Sequence, residues 1–501
     1  MHSLISNQDE KPWVVQKFGG TSVGKFLKNI ANNIVKTHLE NNRVVLVCSA
    51  RSCDTKSKGT TNMLLKAADE SLDPDSKEYL KTIDEIANDH IKGSRSLVCN
   101  AKILDDLEQK ILNEISELKN VLSATQVLGE ISPRSKDIII GYGEKLSCRV
   151  ITAVLNDNGI DSEYVNLENI IEKGKFDRCD LDQSFYDYLT QVISEEVKKC
   201  GNRVPVVTGY FGTVPGSLIA NIGRGYTDLC AALLAVGLGA QELQIWKEVD
   251  GIFTADPRKV LDARLLPIIT PEEASELTYY GSEVIHPFTM EQIMRHNIPI
   301  RIKNVMNPLK NGTIIFPDII ANNGWSKDTN ILELLDQNGY HADMSRKHPT
   351  AVTIKDKIIV LNIHSNRKTI SHGFFAKIFA ALDTYGIIVD LISTSEVHVS
   401  MAICANILEN DLQNAIRDLK KLGRVNIKSY MAILSLVGMQ MKNMVGIAGK
   451  MFSVLAVANV NIEMISQGAS EINISCVINE EKAEIALRAV HAHLLVPYYV
   501  N

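Results

Sequence analysis

"VVQKFGGTSVGKF", residues 14–26, sets an apolar run in front of a lysine, two glycines and two hydroxyls, with a helix-like segment behind them. The common phosphate-binding loop puts its lysine after the glycines, at the start of the helix. Here Lys17 comes first, at the end of the strand. Gly19 and Gly20 carry no Cβ, so their backbone N–H groups can approach a phosphate closely. The helix beginning near Ser22 turns its positive end the same way. A glycine pair after a strand equally describes a plain tight turn, so the stretch decides the fold only in company.

That company is an α/β pattern running through two-thirds of the chain. Val14–Lys17, Val44–Cys48, 163–165, Val204–Thr208, Leu243–Trp246 and Ile300–Lys303 read as short buried strands. Helical periodicity lies between them, over 228–236 and 289–296 among others, which predicts a central, mostly parallel sheet between helical layers. Residues 77–119 are helical and charge-rich, an excursion from the sheet. The polar stretch 321–347 reads as a linker, and a domain boundary falls near Arg346. At 501 residues the chain exceeds one ordinary core. Its 45% hydrophobic and 22% charged residues are those of a globular protein. A net charge of −6 argues against a general nucleic-acid binder. Nine cysteines without paired spacing read as reduced thiols. No secretory or transit pattern opens the sequence and no apolar run is long enough to span a membrane, so a cytoplasmic protein is expected.

Three further stretches bear on Lys17. In "IGRGYTDLCAALLAVGLGA" a glycine-rich turn runs into a strongly helical stretch, with Thr227 and Asp228 in its first turn. In "IWKEVDGIFTADPR" a strand leads through Asp250-Gly251 into an Asp256-Pro257-Arg258 corner. "GYGEKLSCRVI" carries Glu144 on an apolar-periodic helix. Taken singly, each has a plain structural explanation, such as an acid complementing a helix dipole.

The last third repeats itself. GFFAKIFAALDTYGIIVDLIS from Gly373 aligns with GIAGKMFSVLAVANVNIEMIS from Gly446 at an offset of 73 residues. A two-residue slip then sets His398-Val399-Ser400 over Asn473-Ile474-Ser475. Each copy reads strand, glycine turn, helix, strand, strand, helix. This βαββαβ, ferredoxin-like order resembles the ACT module, a small ligand-sensing domain of amino-acid metabolism. Residues 347–430 form the first copy and 431–501 the second; whether 351–355 pairs with the first or the second stays open at this level. Only the first copy has Ser395-Glu396 after its second strand, where the second has Gly468-Ala469. The first is therefore expected to bind an effector and the second to build an interface.

Taken jointly, KFGGTSV, GRGYTD and VDGIFTADPR, followed by two ACT-like modules, resemble the aspartate kinases of the amino-acid kinase family. GSEVIHPFTMEQ, residues 281–292, is similar to the fungal branch. The resemblance implies a three-layer kinase domain over 1–346 that transfers the γ-phosphoryl of MgATP to the β-carboxylate of L-aspartate. It implies Lys17 at the moving phosphate with Asp228 holding its ammonium, and Gly19, Gly20 and Ser22 at phosphate oxygens. Arg224 would grip the α-carboxylate and Glu144 the α-ammonium, with Ser49, Thr61 and Thr227 as neutral donors. The nucleotide would lie along 246–258, with Phe253 at the base and Arg258 near the phosphates, and with Mg²⁺ arriving on ATP rather than in a dedicated protein cage. The chain departs from many bacterial members: Lys247 and Glu248 stand where a hydroxyl and an aspartate are usual, and Glu283 where a lysine is common. A charge swap in which Lys247 takes over a phosphate or ribose contact would account for this. The resemblance also implies an effector near Gly373, Phe374, Phe375, Val389, Asp390, Ser395 and Glu396, threonine being favoured over lysine because fungi make lysine by another route. Side-by-side ACT sheets imply a homo-oligomer. Three other readings are weighed against this one: a fused dehydrogenase, a pseudokinase sensor and a sibling kinase for glutamate or carbamate. No dinucleotide fingerprint supports the first, retention of Lys17 and Asp228 opposes the second, and Arg224 with Glu144 opposes the third.

Overall fold

The computed structural model describes residues 4–52, 59–172, 175–176, 181–214, 216–279, 285–316, 348–365, 373–395, 398–439, 441–468 and 472–495. Glu283, Glu396 and the boundary near Arg346 fall outside the described residues, as does the Arg224 side chain. The chain divides into two compact units, Met1–Ile252 with Ile285–Asn322, and Phe253–Val284 with Asn323–Asn501.

In the first unit, Trp13–Phe18 (β1), Arg43–Cys48 (β2), Ser162–Val165 (β3), Val204–Thr208 (β4) and Glu242–Lys247 (β5) lie side by side in the order β3-β4-β2-β1-β5. All of these pairs are parallel. Ile300–Asn304 follows β5 in parallel and Thr313–Ile315 closes on it antiparallel. The strands are runs of Val, Ile and Leu because a parallel sheet is covered on both faces. One cover is the helix Tyr226–Leu238, buried on nearly every side, which packs on β1 beside Gln183–Lys198 and Pro287–Met294. A separate core gathers Phe18, Leu46, Val206 and Trp246 under the long helices. The predicted helical excursion is a pair, Glu78–Leu97 and Ala101–Leu128. Asn100 caps the second by accepting from the amides of Lys102 and Ile103, and Gly129, at φ 69°, ends it.

In the second unit the repeat is visible in the backbone. Gly373 and Gly446 adopt φ 79° and 81°, left-handed values that only glycine takes without strain, and each starts a helix, Phe374–Thr384 and Ile447–Val457. One antiparallel sheet serves both copies, in the order Val389–Thr394, His398–Cys404, Ala351–Ser365, Gly423–Val437, Asn473–Asn479, Ile462–Ser466. The two long central strands are each used twice. Leu361 pairs Ile427 in the first copy, whereas Thr353 pairs Ser435 at the other end. Residues 351–355 therefore run beside the second copy's strand. Each copy keeps its own core, one around Leu361, Ile378 and Met401, the other around Leu434, Met451 and Ile474.

Phe253–Val284, which chain order kept with the first domain in the sequence reading, belongs to the second compact unit. The bonds show why. The Val352 amide donates to Thr254 O at 2.8 Å. The buried Glu273 carboxylate accepts from the Thr350 hydroxyl at 2.5 Å and the Met439 amide at 2.9 Å. Among the described residues no helix is long and apolar enough to cross a membrane.

Candidate active site

Strand β1 is where the first unit's sheet changes direction. From it the chain proceeds to β2, β4 and β3 on one side and to β5 on the other, and open α/β sheets bind ligands at the carboxyl ends of strands at such a switch. Lys17 lies one residue before that end. Its Nζ sits 2.7 Å from Asp228 Oδ1, and both side chains are largely buried. The pair foreseen in the sequence is formed. The turn after β1 is stitched to the turn after β2: the Ser49 amide donates to Phe18 O at 3.1 Å and the Ser52 amide to Gly20 O at 2.9 Å. That closeness dictates Gly20, since a Cβ there would lie 2.4 Å from Ala50 O. Gly19 flanks the ammonium itself, its Cβ position lying 4.0 Å from Lys17 Nζ.

Glu144 comes to the same end of the sheet from the helix Pro133–Asp157. It is 1% exposed. Its carboxylate accepts from Thr227 Oγ1 at 2.8 Å and from the Tyr210 amide. Burial pushes its pKa up to about 7; the Thr227 and Tyr210 donors, the nearby Tyr226 phenol and the Lys17 charge pull against that without cancelling it. Thr227 reaches Glu144 because residue 209 is glycine, where a Cβ would lie 2.4 Å from the Thr227 methyl carbon.

The other expected residues divide. Ser49 and Thr61 are half-buried, Thr61 in the first turn of the helix Thr60–Glu70. Arg224 lies in the single turn Gly223–Gly225, with its side chain outside the described residues. The Ser22 hydroxyl, expected at a phosphate, donates to Glu248 Oε1 at 2.7 Å. Lys247 ends β5 half-buried. Phe253 and Arg258 belong to the second unit, where Phe253 bridges to Leu265 and the exposed Arg258 guanidinium pairs with Asp256 at 2.9 Å. In the effector region Phe374 is buried and Phe375 exposed. Val389 is half-buried, and the Ser395 amide donates to His398 O at 2.8 Å. Asp390 is engaged: Lys355 Nζ lies 2.7 Å from its Oδ1.

Three residues of the cluster went unread in the sequence. Tyr210 contributes a backbone amide, for which no sequence signal exists. Tyr226 looked like an ordinary aromatic at a helix start. Asp137 accepts from the Leu218 amide at 2.6 Å and Ser217 Oγ at 3.0 Å, anchoring the chain that leads into Gly223–Gly225. Its signal was there: Asp137 and Glu144 stand seven residues apart, hence on one helix face. Among the described residues no group of three or more His, Cys, Asp or Glu gathers as a metal site.

The known proteins agree with this geometry. Residues 12–304 match the amino acid kinase family and residues 434–494 an ACT domain. The aspartokinase of Schizosaccharomyces pombe is 55% identical over 98% of this chain and 95% of its own. That of Saccharomyces cerevisiae is 53% identical over 96% and 93%. The crystal structure of E. coli aspartokinase III with aspartate and ADP superposes with a TM-score of 0.73 at 26% identity, covering 96% of this chain and all of the other. With its Lys17–Asp228 pair, its buried Glu144 and its doubled ferredoxin-like sheet, the chain belongs to the aspartate kinases of the amino acid kinase family.

Proposed function

We propose that the chain transfers the γ-phosphoryl group of MgATP to the β-carboxylate of L-aspartate, giving 4-phospho-L-aspartate on the route to threonine, methionine and isoleucine. The observation that carries this is the Lys17 ammonium, fixed by Asp228 at the switch point of the sheet, beside a buried acid. The attacking carboxylate is already ionised at neutral pH, so no general base is needed. Positioning and charge neutralisation remain. Lys17 faces the charge that grows on the transferred group, and the amides of Gly19 and Gly20 add donors beside it. Glu144 receives the α-ammonium and Arg224 the α-carboxylate, a division suited to a zwitterion that carries an additional acid. Mg²⁺ enters with the nucleotide. Lys247 takes a phosphate or ribose contact. Lys247→Ala should raise the KM for ATP at least tenfold while moving that for aspartate less than twofold; equal changes in steady-state assays would remove Lys247 from the nucleotide site.

Regulation is assigned to the first ACT module, 347–430, and the second, 431–501, to contacts between copies in a cytoplasmic homo-oligomer. A related structure, E. coli aspartokinase III, is described with lysine and aspartate in a T-state, which supports an end-product amino acid as effector. Threonine is the effector proposed here. It inhibits only if it binds the less active arrangement more tightly than the active one. ATP turnover with aspartate, but not glutamate, should fall when threonine is added. Ser395→Phe should weaken that inhibition at least tenfold and leave uninhibited turnover within twofold. Inhibition by lysine alone would exchange the effector, and turnover with glutamate would overturn the substrate.

A further inference from the structure

Two buried acids on one face of the helix Pro133–Asp157 hold opposite ends of a single stretch of chain. Glu144 holds the exit, where the Thr227 hydroxyl donates to its Oε1 at 2.8 Å. Asp137, 1% exposed, holds the entrance. Its Oδ2 accepts from the Leu218 amide at 2.6 Å, and its Oδ1 accepts from Ser217 Oγ at 3.0 Å and from the Ile219 amide at 3.3 Å. The Ile222 amide then donates back to Leu218 O at 2.9 Å, which closes the short helix Leu218–Asn221. Gly223, at φ 78°, redirects the chain into the turn Gly223–Gly225 that carries Arg224. Helical pieces this short do not hold their shape alone. The carboxylates on either side therefore set where the turn lies.

We propose that Asp137 is a positioning residue for aspartate, fixing the entrance to the Gly223–Gly225 turn so that Arg224 meets the substrate's α-carboxylate. This rests on the reading of Arg224 as the α-carboxylate ligand. A guanidinium grips a carboxylate with two parallel bonds only when its fork is held in register. A misplacement of about 1 Å costs such a contact about a hundredfold. The exit of the turn is fixed twice, by Thr227 on Glu144 and by the Lys17–Asp228 pair. Its entrance is fixed by three donors converging on one buried acid. Burying an acid is a costly way to fasten a loop, and three donors on two oxygens make a fit that a side-chain amide, with one acceptor oxygen, cannot reproduce.

The test uses Asp137→Asn, which keeps the size of the side chain and leaves one acceptor oxygen for three donors. The readout is competitive inhibition by two fragments of aspartate. Succinate lacks the α-ammonium and keeps the α-carboxylate; β-alanine lacks the α-carboxylate and keeps the ammonium. The variant should raise the KM for aspartate and the inhibition constant of succinate at least tenfold. The inhibition constant of β-alanine and the KM for ATP should each move less than twofold. Equal losses for the two fragments would mean a loosened fold rather than a misplaced arginine, and would overturn the proposal. A loss confined to β-alanine would place Asp137 behind the ammonium site and overturn it as well. Ser217→Ala removes one donor and keeps the acid; it should show the same split at roughly threefold, and it decides the matter if Asp137→Asn does not fold. Arg224→Ala separates the two layers. If it weakens both fragments equally, or leaves the KM for aspartate unchanged, the α-carboxylate reading and this proposal fail together. If it weakens succinate alone while Asp137→Asn weakens neither fragment selectively, only the role of Asp137 fails.

Discussion

Lys17→Met should lower kcat by at least a thousandfold while the protein stays folded. Methionine keeps the length and apolar stem of lysine and deletes only the ammonium, so packing against β2 and β5 survives. What disappears is the cation 2.7 Å from Asp228, which in the proposed reaction faces the negative charge that builds on the transferred phosphoryl group. A preorganised cation in a partly dry site stabilises that charge far better than water does. Losses from removing such a group in phosphoryl transfer run to about 10³–10⁵ in rate. The KM for aspartate should change little, because the residues proposed for its α-ammonium and α-carboxylate, Glu144 and Arg224, are left intact. Asp228→Asn should cost less, about 10²-fold, since it frees the ammonium without removing it. The double variant should be no worse than Lys17→Met alone, the non-additivity expected of two residues that act as one device. Thermal melts alongside single-turnover assays check this. A folded Lys17→Met enzyme within tenfold of wild type would show that the strand-end ammonium is not what neutralises the phosphoryl group.

That pair was legible in the sequence because both members carry local marks. A lysine closing an apolar strand before two glycines, and an acid opening an apolar helix after glycines, each belong to the carboxyl-end edge of an α/β sheet. The repeat was legible for a similar reason: a left-handed glycine before a helix imposes its own residue type, at Gly373 and again at Gly446. Glu144 was legible as an acid on a buried helix, but its surroundings were not. A backbone amide such as that of Tyr210 has no letter of its own. The placement of Phe253–Val284 was hidden as well. Chain order says that this segment follows β5; only the bonds of Thr254 and Glu273 say which unit holds it. The same limit applies to Asp390. The resemblance set it near an effector, whereas the fold already supplies the Lys355 ammonium at 2.7 Å. An effector that used Asp390 would have to share or displace that cation, a requirement that spacing along the chain could not disclose.

Glu144→Gln should do two opposite things: cripple aspartate binding and, above neutral pH, stabilise the fold. The substrate effect follows from charge. A buried carboxylate facing an ammonium forms a charge-assisted pair, and a neutral amide in its place leaves that ammonium without a counter-ion in a dry site. The KM for aspartate should rise at least a hundredfold, with the KM for ATP nearly unchanged. The stability effect follows from linkage. Unfolded, Glu144 titrates near 4.5; folded, burial holds it to about 7. Below pH 4.5 both states are protonated and the site contributes nothing to the pH dependence. Between 4.5 and 7 the folded state binds a proton that the unfolded state has lost, so stability falls as pH rises, and above about 7 the full penalty is present. That penalty is on the order of 3 kcal/mol. Glutamine never ionises, but its amide group must face a donor now served by an oxygen, which returns about 1–2 kcal/mol of the gain. Urea denaturation should therefore find the variant no more stable than wild type at pH 5 and more stable by about 1–2 kcal/mol at pH 8. Parallel stability curves between those pH values would mean that Glu144 is ionised in the empty site throughout, and its donors, with the Lys17 charge, would then have to outweigh its burial.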